Sequence, residues 1–409
     1  MKCRHCGSHL QLSLVDLGSA PPSNAYLTDT SLHAPEKWFP LKVLVCEQCW
    51  LVQTEDFASA DELFDAEYAY FSGFSSSWLR HSERYVTDMV ARFELGASHH
   101  VVEVAANDGY LLQYVMARGI PCTGVEPTAS TAAAARSKGI PVVEEFFGVS
   151  LAKAMVAKGR SADLTTANNV LAHVPDINDF VAGFTYLLNP QGVSTFEFPH
   201  LLRLIVENQF DTIYHEHFSY LSLSTVEKVF EHNGLSIFDV EELNTHGGSL
   251  RVYAQRRDTG SRPRSVRVDE LLQREAQLGV LKAEFYNQFQ VRTNDLKDGF
   301  LDFLLQARRA GKQVAAYGAA AKGNTLMNYA GIRPDLITFV ADKSPAKQGK
   351  FMPGSRIPIV GEHVLSVAKP DYIVILPWNL KEEIAAQLDY TSAWEAQFVT
   401  AVPELRIFR

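Results

Sequence analysis

The sequence predicts an α/β protein of three domains, with a small irregular domain at residues 1–75 and Rossmann-like domains at residues 76–263 and 264–409. Three observations support this prediction. Strand-like runs alternate with helical patterns up to about residue 255, the alternation restarts after Gly311, and four of the five cysteines lie within the first 49 residues. Alternating strands and helices imply right-handed βαβ units and a mainly parallel sheet.

The individual elements follow from apolar runs and their spacing. We predict a helical stretch over residues 264–311, because apolar side chains recur there near helical spacing. The predicted helices of the central domain span residues 111–118 and 129–138. The predicted strands span residues 101–104, 121–125, 162–166, 193–198, 314–317, 336–340 and 372–376.

The composition is that of an ordinary soluble protein, with 409 residues, 46% hydrophobic and 21% charged. Its 38 Lys and Arg against 47 Asp and Glu give a net charge of −9, which argues against a nucleic-acid partner. The N-terminus lacks the apolar segment of a signal peptide, and no apolar stretch reaches the ~18 residues of a membrane span. We expect a cytoplasmic protein that acts as a monomer and has no membrane partner.

The cysteines form two C-x-x-C pairs, Cys3 with Cys6 and Cys46 with Cys49. Two such turns supply the four thiolates of a tetrahedral zinc site, and a closed set of four leaves no position for catalysis. Two unrelated pairs or a redox motif are the alternatives, but a redox C-x-x-C is expected beside a βαβ unit, which is missing here. The sequence therefore predicts a structural zinc ion. The fifth cysteine, Cys122, falls in a predicted strand and is expected in the core.

The first strand–turn–helix unit of the central domain carries an acidic turn without the G-x-G-x-x-G pattern of dinucleotide-binding proteins. Glu126 directly follows the next predicted strand, where a carboxylate can accept both hydroxyls of a ribose. An acidic turn without a basic residue suits a ligand with a cationic end, such as S-adenosylmethionine, better than a pyrophosphate. A turn that binds no ligand is the alternative. The candidate residues of the turn are Glu103, Ala105, Asn107, Asp108 and Gly109.

Two further segments extend this candidate binding site. Asn168 and Asn169 follow the predicted strand 162–166, at the sheet edge where open α/β folds bind ligands, and His173 lies one turn further on. Phe146 and Phe147 could flank an adenine or lie in the core, and the sequence favours neither.

Residues 213–220 are rich in titratable and aromatic groups, with Tyr214, Glu216 and His217 as candidates. A metalloprotease site is excluded, because its two histidines stand four residues apart and His215 and His217 stand two apart. A different metal site and an aromatic core corner are the alternatives to a catalytic role.

The C-terminal domain has its own strand–turn–helix unit, from Val314 to Asn324. Asn324 stands where a nucleoside triphosphatase loop needs lysine, which argues against that activity. Lys322 and the turn amides could still hold a pyrophosphate, and a scaffold that only closes the cleft is the alternative. The candidate substrate-binding residues are Tyr317, Gly318, Lys322, Asn324, Asp342 and Lys343.

Taken together, these motifs resemble those of the sugar C-methyltransferases that act on nucleotide-linked keto-deoxysugars. The resemblance covers the whole chain and rests on the two cysteine pairs and five further motifs. It implies a zinc-binding domain, a central S-adenosylmethionine domain and a C-terminal Rossmann-like domain, with substrate between them. Ala105 departs from the family, where glycine is usual. The five further motifs are residues 102–109, 124–127, 168–173, 214–217 and 317–324.

The resemblance also implies roles for side chains. His217 would remove the C-3 proton of a 4-keto-6-deoxysugar linked to dTDP or GDP, and the enolate would attack the methyl group. Tyr214 and His173 would hydrogen-bond the 4-oxo group, and Glu216 would orient a neighbour. One of two tyrosines, Tyr68 or Tyr70, would reach over the active site, with Tyr68 favoured.

Two other functions compete with this interpretation. One is an NAD-dependent oxidoreductase acting on a nucleotide sugar. The absence of G-x-G-x-x-G from both turns argues against it. The other is a non-catalytic zinc-containing binding module, in which His217 would have no functional role.

Overall fold

The computed structural model describes residues 1–55, 57 and 72–409, and its strands form three sheets. The strands of the first half are β1 Leu12–Ala20, β2 Phe39–Val45, β3 Val52–Thr54, β4 Val101–Val104, β5 Cys122–Val125, β6 Val142–Val143, β7 Ala162–Asn168 and β8 Leu188–Pro199. The strands of the second half are β9 Ser219–Tyr220, β10 Leu235–Leu243, β11 Ser249–Arg256, β12 Val314–Tyr317, β13 Val340–Ala341, β14 Ile359–Val360, β15 Tyr372–Ile375, β16 Gln397–Thr400 and β17 Arg406–Phe408.

Twelve described α-helices connect these strands. In the described residues, no helix is both long enough and apolar enough to cross a membrane. The helices are α1 Ser76–Phe93, α2 Leu112–Met116, α3 Ala129–Ser137, α4 Val149–Ala157, α5 Ile177–Leu187, α6 Leu201–Val206, α7 Leu223–His232, α8 Val266–Leu278, α9 Phe289–Arg309, α10 Ala321–Tyr329, α11 His363–Ala368 and α12 Lys381–Gln387.

The central sheet has seven strands in the order β10-β11-β8-β7-β4-β5-β6. The five strands from β8 to β6 are parallel, and β11 and β10 add an antiparallel edge. This confirms the predicted α/β class. The carboxyl ends of β4, β5 and β7 meet at one edge, and the predicted ligand-binding residues of these three segments lie at or just after the strand ends.

The C-terminal sheet has six strands in the order β14-β13-β12-β15-β16-β17, parallel except for β17. The strand predicted over residues 336–340 is shorter in the structure, because Leu336 lies in a turn. The amide of Leu336 donates to the carbonyl of Arg333 at 3.0 Å. Pro334 follows Arg333 directly and favours this turn. Only the last predicted residue, Val340, belongs to β13.

The N-terminal sheet is antiparallel, in the order β1-β2-β3-β9. Its last strand, β9, comes from residues 219–220, far along the chain from the other three. The predicted helical stretch 264–311 divides into α8 and α9, and α9 packs on this sheet. Phe289 and Phe300 of α9 share one apolar core with Val43 of the N-terminal sheet and Met327 of α10. The first and last thirds of the chain are therefore packed together.

Candidate active site and thiolate centre

The four predicted zinc ligands lie together. The Sγ atoms of Cys3, Cys6, Cys46 and Cys49 are all within 4.8 Å of one another, and those of Cys3 and Cys49 are 3.5 Å apart. A zinc ion with Zn–S bonds of about 2.3 Å places its sulfurs about 3.8 Å apart, so the four thiolates fit zinc. All four positions are filled by protein, which is the arrangement of a structural site.

The backbone explains how two short motifs converge. Each pair is followed by a residue in the left-handed region, Gly7 at φ +73° and Trp50 at φ +67°. The Gly7 amide bonds the Cys3 carbonyl at 2.9 Å, and the Trp50 amide bonds the Cys46 carbonyl at 2.7 Å. The two turns are thus alike, and each directs two sulfurs at one point.

The first turn of the central domain has a strained backbone. Ala105 has φ +60° and Asn107 φ +48°, where glycine is favoured, and Gly109 has φ +75°. A Cβ on Gly109 would lie 2.3 Å from Cδ1 of Ile140, and the positive φ also favours glycine there. The carboxylate of Glu126 accepts the amide of Asn107 at 2.9 Å, which fixes the turn against the end of β5. The structure thus brings Glu126 beside the turn, as the sequence predicts.

Glu103 is fully buried at the end of β4, and neither of its carboxylate oxygens has a hydrogen bond of ordinary geometry. Burial, followed by the negative charges of Asp108 and Glu126, raises the pKa of Glu103 well above its ordinary value. One carboxylate oxygen of Asp108 is also unpaired, while the other lies 3.3 Å from Nζ of Lys138. Acidic groups buried in this way would be stabilised by a cationic ligand.

The loop after β7 contacts a turn that contains His246, which is not among the residues predicted from the sequence. Nδ2 of Asn169 donates to Nε2 of His246 at 3.1 Å, and Asn169 and His246 have φ values of +53° and +55°. Burial, and then the charge of Lys322, lowers the pKa of His246 to about 4. Asn168 is buried, and its side-chain oxygen accepts the Thr166 hydroxyl at 3.3 Å. The amide pair is therefore at the sheet edge, with a neutral histidine beside it.

His217 is buried and its ring lies against two other candidate residues. The ring centroids of His217 and His173 are 4.6 Å apart, and those of His217 and Tyr214 are 3.9 Å apart. Nδ1 of His217 lies 2.8 Å from the carbonyl of Thr212. Because a carbonyl only accepts, Nδ1 carries the proton and Nε2 carries the lone pair. Burial, and then the nearby His173, lowers the pKa of His217 well below its ordinary value.

His173 and Glu216 are joined through the backbone. Nδ1 of His173 donates to the carbonyl of Glu216 at 2.8 Å, and burial lowers the pKa of His173 to about 4. The carboxylate of Glu216 accepts the side-chain amide of Asn24 at 3.1 Å, and its other oxygen is buried without a partner. Burial raises the pKa of this carboxyl group. The segment 214–217 thus contacts both the central domain and the N-terminal domain.

Lys322 of the C-terminal domain faces the same crevice. Its Nζ donates to Oδ1 of Asn379 at 2.7 Å and lies 4.6 Å from the centre of the Trp378 ring. The indole of Trp378 donates to Asp211 at 2.8 Å, next to the Thr212 carbonyl that holds His217. Burial lowers the pKa of Lys322 and raises that of Asp211 to about 6.

The other C-terminal candidates lie apart from this crevice or support the backbone. The Tyr317 ring belongs to the core on the other face of the sheet, with its hydroxyl 2.8 Å from Glu362. Asp342 accepts the amide of Ala319 at 2.7 Å, and Lys343 is exposed. Nδ2 of Asn324 donates to Ser23 of the N-terminal domain. Gly318 has φ +86°, and a Cβ there would lie 2.6 Å from Cδ of Pro377.

The phenylalanine and tyrosine candidates have different outcomes. Phe147 packs against Phe180 and Phe184, with ring centroids 5.7 and 4.7 Å away, which is a core position. Phe146 is exposed, at 56% of its full surface. Tyr68 and Tyr70 lie outside the described residues, so their role stays a prediction.

A buried polar cluster beside the sheet edge is not predicted from the sequence. Glu197 accepts His81 at 3.0 Å and Arg251 at 3.1 Å, and Trp78 stacks on His81 at 4.8 Å. Burial alone would raise the pKa of Glu197, but His81 and Arg251 lower it below the ordinary value. The one sequence signal for this region was the His246-Gly-Gly pattern, which indicates a tight turn carrying a polar group.

Comparison with known proteins identifies this architecture. Three family models match in succession, a zinc binding domain over residues 3–64, a methyltransferase domain over 78–240 and a C-methyltransferase C-terminal domain over 244–403. C-methyltransferase NovU of Streptomyces niveus is 33% identical over 406 residues, which is 99% of this chain and 96% of NovU. The chain belongs to the C-methyltransferase family. It is a methyltransferase with a zinc-binding N-terminal domain, which confirms both predictions.

Solved structures resemble this C-methyltransferase only in part. The magnesium protoporphyrin IX methyltransferase of Synechocystis PCC 6803 with bound SAH is 17% identical, with a TM-score of 0.36 over 44% of this chain and 83% of that one. The YcgJ protein of Bacillus subtilis is 16% identical, with a TM-score of 0.34 over 43% of this chain and 99% of that one. Matches at this level carry no information on ligand or substrate.

Proposed function

We propose that this protein transfers a methyl group from S-adenosylmethionine to C-3 of a nucleotide-linked 4-keto-6-deoxysugar. The observation that carries the proposal is the state of His217, a buried neutral imidazole whose Nδ1–H is bonded to a carbonyl. In that tautomer Nε2 is available to accept a proton, and no described residue hydrogen-bonds it. Carbon methylation requires such a base, because the acceptor carbon becomes nucleophilic only after it loses a proton.

The acidic turn supports the proposed methyl donor. S-adenosylmethionine supplies an electrophilic methyl group on a positively charged sulfur, and its methionine end carries an ammonium group. The buried carboxyl groups of Glu103 and Asp108 match this positive charge. The two carboxylate oxygens of Glu126 accept the amides of Asn107 and Thr128, and each keeps a lone pair for a ribose hydroxyl. Asn168 and Asn169 would line the adjacent edge.

The proton on the acceptor sugar would pass to Nε2 of His217. Its low pKa keeps the imidazole neutral at physiological pH, so the base is ready without a prior deprotonation. The negative charge that develops on the 4-oxo group would then stabilise the imidazolium. Tyr214 is placed beside His217 and is our candidate to hydrogen-bond that oxygen. His173 also lies beside His217, but its proton is on Nδ1 and is bonded to a carbonyl, so its Nε2 could donate to that oxygen only after taking up a proton. Glu216 would hold His173 through its backbone carbonyl.

The C-terminal domain would bind the nucleotide diphosphate. Lys322 supplies a buried cation whose hydrogen bond goes to the neutral amide of Asn379, with Asp211 as a nearby negative charge. Gly318, Asn324, Asp342 and Lys343 remain candidates for the same ligand, and Tyr317 is the weakest because its hydroxyl is already paired. Domain boundaries at residues 75 and 263, a monomeric state and a cytoplasmic location are further parts of this proposal.

A panel of dTDP- and GDP-linked 4-keto-6-deoxysugars, each incubated with S-adenosylmethionine, tests the proposal. Mass spectrometry should find a product heavier by one CH₂ for at least one member, together with S-adenosylhomocysteine. If the protein binds S-adenosylmethionine and no panel member gains a methyl group, the proposed acceptor class is wrong. An NAD-dependent oxidoreductase would change nicotinamide absorbance in the same reactions, and the family membership disfavours that outcome.

A further inference from the structure

The loop that carries His217 is bonded to the N-terminal domain at several consecutive residues. Nε2 of His215 lies 3.2 Å from the carbonyl of Phe39, and Asn24 donates to the carboxylate of Glu216. The strand β9, which begins two residues after His217, pairs with β3 of the N-terminal sheet. The conformation of the proposed base therefore depends on a domain that is distant in sequence.

Thr54, at the end of β3, makes the contact closest to the base. Its hydroxyl donates to the carbonyl of His217 at 3.1 Å, and its amide donates to the carbonyl of Phe218 at 3.2 Å. The Thr54 side of this contact is shielded from water, since Thr54 is only 3% exposed. Two consecutive carbonyls of the loop are thus bonded by one residue, which fixes the direction of the chain at His217.

The residue before Thr54 reaches the thiolate centre. Nε2 of Gln53 donates to Sγ of Cys3 at 3.3 Å, and its Oε1 accepts the amide of Arg4 at 2.9 Å. Arg4 in turn donates to the carbonyl of Thr54 at 2.9 Å. Gln53 is fully buried, so these contacts have no competition from solvent. A continuous set of hydrogen bonds therefore leads from a zinc ligand to the backbone of His217.

We propose that Thr54 is a positioning residue for His217, and that the zinc-binding domain contributes to catalysis by holding the loop of the base through the strand Val52–Thr54. This inference rests on the proposed function of His217. The base must lie within hydrogen-bond reach of the proton that it removes, and small displacements of such groups are costly. Groups that contact a metal ligand or a catalytic side chain often set its orientation in this way.

The test compares three variants of the full chain. Thr54→Val removes the hydroxyl with little change in volume, and Thr54→Ser keeps it. Thr338→Val makes the same chemical change at an exposed position of the C-terminal domain, where the hydroxyl bonds the carbonyl of Val314 at 3.2 Å. We expect Thr54→Val to lower kcat about tenfold with little change in the KM for the sugar, as for one lost buried hydrogen bond. Thr54→Ser should restore most of the rate, and Thr338→Val should match the wild type.

A second measurement does not depend on catalysis. Hydrogen exchange, followed by mass spectrometry, should show faster exchange for the peptide over residues 213–220 in Thr54→Val than in Thr338→Val. Equal kcat and equal exchange in these two variants would overturn the inference. If the wild type itself transfers no methyl group while exchange still rises in Thr54→Val, the proposed function fails and the contact between the domains stands.

Discussion

The thiolate centre and the candidate active site are built in opposite ways. The thiolate centre takes four ligands from two C-x-x-C turns, and each turn owes its shape to a backbone bond within five residues. The active site draws His217, Lys322 and His246 from three distant stretches, and their proximity depends on packing between domains. Local geometry can therefore be predicted from a sequence, whereas a site formed by packing between distant segments can be predicted only in part.

Removing one thiolate should have the largest effect. In Cys46→Ser we expect zinc content to fall and the free energy of unfolding to drop by several kcal/mol, because structural zinc contributes on the order of 10 kcal/mol. Metal analysis and urea denaturation measure both. Cys122→Ala is the control, since Cys122 is buried in β5 away from the cluster and should cost only about 1 kcal/mol. A Cys46→Ser variant with full zinc content and stability would contradict a four-thiolate site.

Removing the base should abolish chemistry without unfolding. We expect His217→Asn to lower methyl transfer about 10²–10⁴-fold, which is the usual contribution of a general base. S-adenosylmethionine binding, measured by calorimetry, should persist because His217 is outside the acidic turn. If the variant transfers methyl groups at the wild-type rate, His217 is not the base.

Gly247 tests the contact between the central and C-terminal domains. A Cβ at this position, where φ is +90°, would lie 2.5 Å from Cη2 of Trp378. Gly247→Ala should displace Trp378 and lower methyl transfer about tenfold, with a loss of stability of about 2 kcal/mol. Gly119→Ala has similar strain, at φ +70°, and no atom within 4 Å, so it should cost about 1 kcal/mol and no activity. Equal activities of the two variants would show that the position of Trp378 does not affect methyl transfer.

The lowered pKa of His246 should make the free energy of unfolding depend on pH. Its pKa is lowered to about 4 by burial and by Lys322, so between pH 6.5 and 4 the unfolded chain binds more protons than the folded one. The contribution of His246 to the free energy of unfolding is fully present above about pH 6.5, and it is lost as the pH falls towards 4. Asn tolerates the left-handed backbone, so His246→Asn should lose less stability than the wild type between pH 7 and 4.5 in urea titrations. Parallel losses would show that His246 is not buried in its neutral form.

Ala105 should give the smallest effect. Its φ of +60° is costly for alanine, so Ala105→Gly relieves strain of about 1 kcal/mol, partly offset by the entropy of a more flexible unfolded chain. We expect a gain in unfolding free energy below about 1 kcal/mol and unchanged S-adenosylmethionine affinity. A marked loss of stability in thermal unfolding would mean that the methyl group of Ala105 packs usefully.

Much of the fold could be predicted, because its strands are short apolar runs with turns between them. The strand Val314–Tyr317 was predicted at its observed bounds, and Val101–Val104 likewise. Predicting β9 failed, because its two residues have no strand-like pattern of their own and pair only when the N-terminal sheet is present. The prediction of a strand over residues 336–340 was wrong for most of that range, because the turn that begins at Pro334 outweighs the strand preference of the apolar run.

The residues of the candidate site also differ in how far the sequence predicts their positions. Residues that follow a predicted strand, such as Glu126 and Asn169, could be placed at the sheet edge from sequence alone. The pairing of Glu197 with Arg251 could not, since it depends on the register of two antiparallel strands. Tyr317 is a candidate substrate-binding residue from its place at the end of a predicted strand. The alternation of side chains along β12, which the sequence does not assign to a face, places its ring in the core on the other face of the sheet.

Exchange of the C-3 proton of the acceptor sugar with deuterated water is the most direct test of His217 as the base. Nuclear magnetic resonance follows this step in the presence of S-adenosylhomocysteine, where no methyl group is available. We predict that the wild type exchanges the C-3 proton and that His217→Asn does not, although both bind the sugar nucleotide. Equal exchange rates in the two proteins would show that a group other than His217 removes the proton.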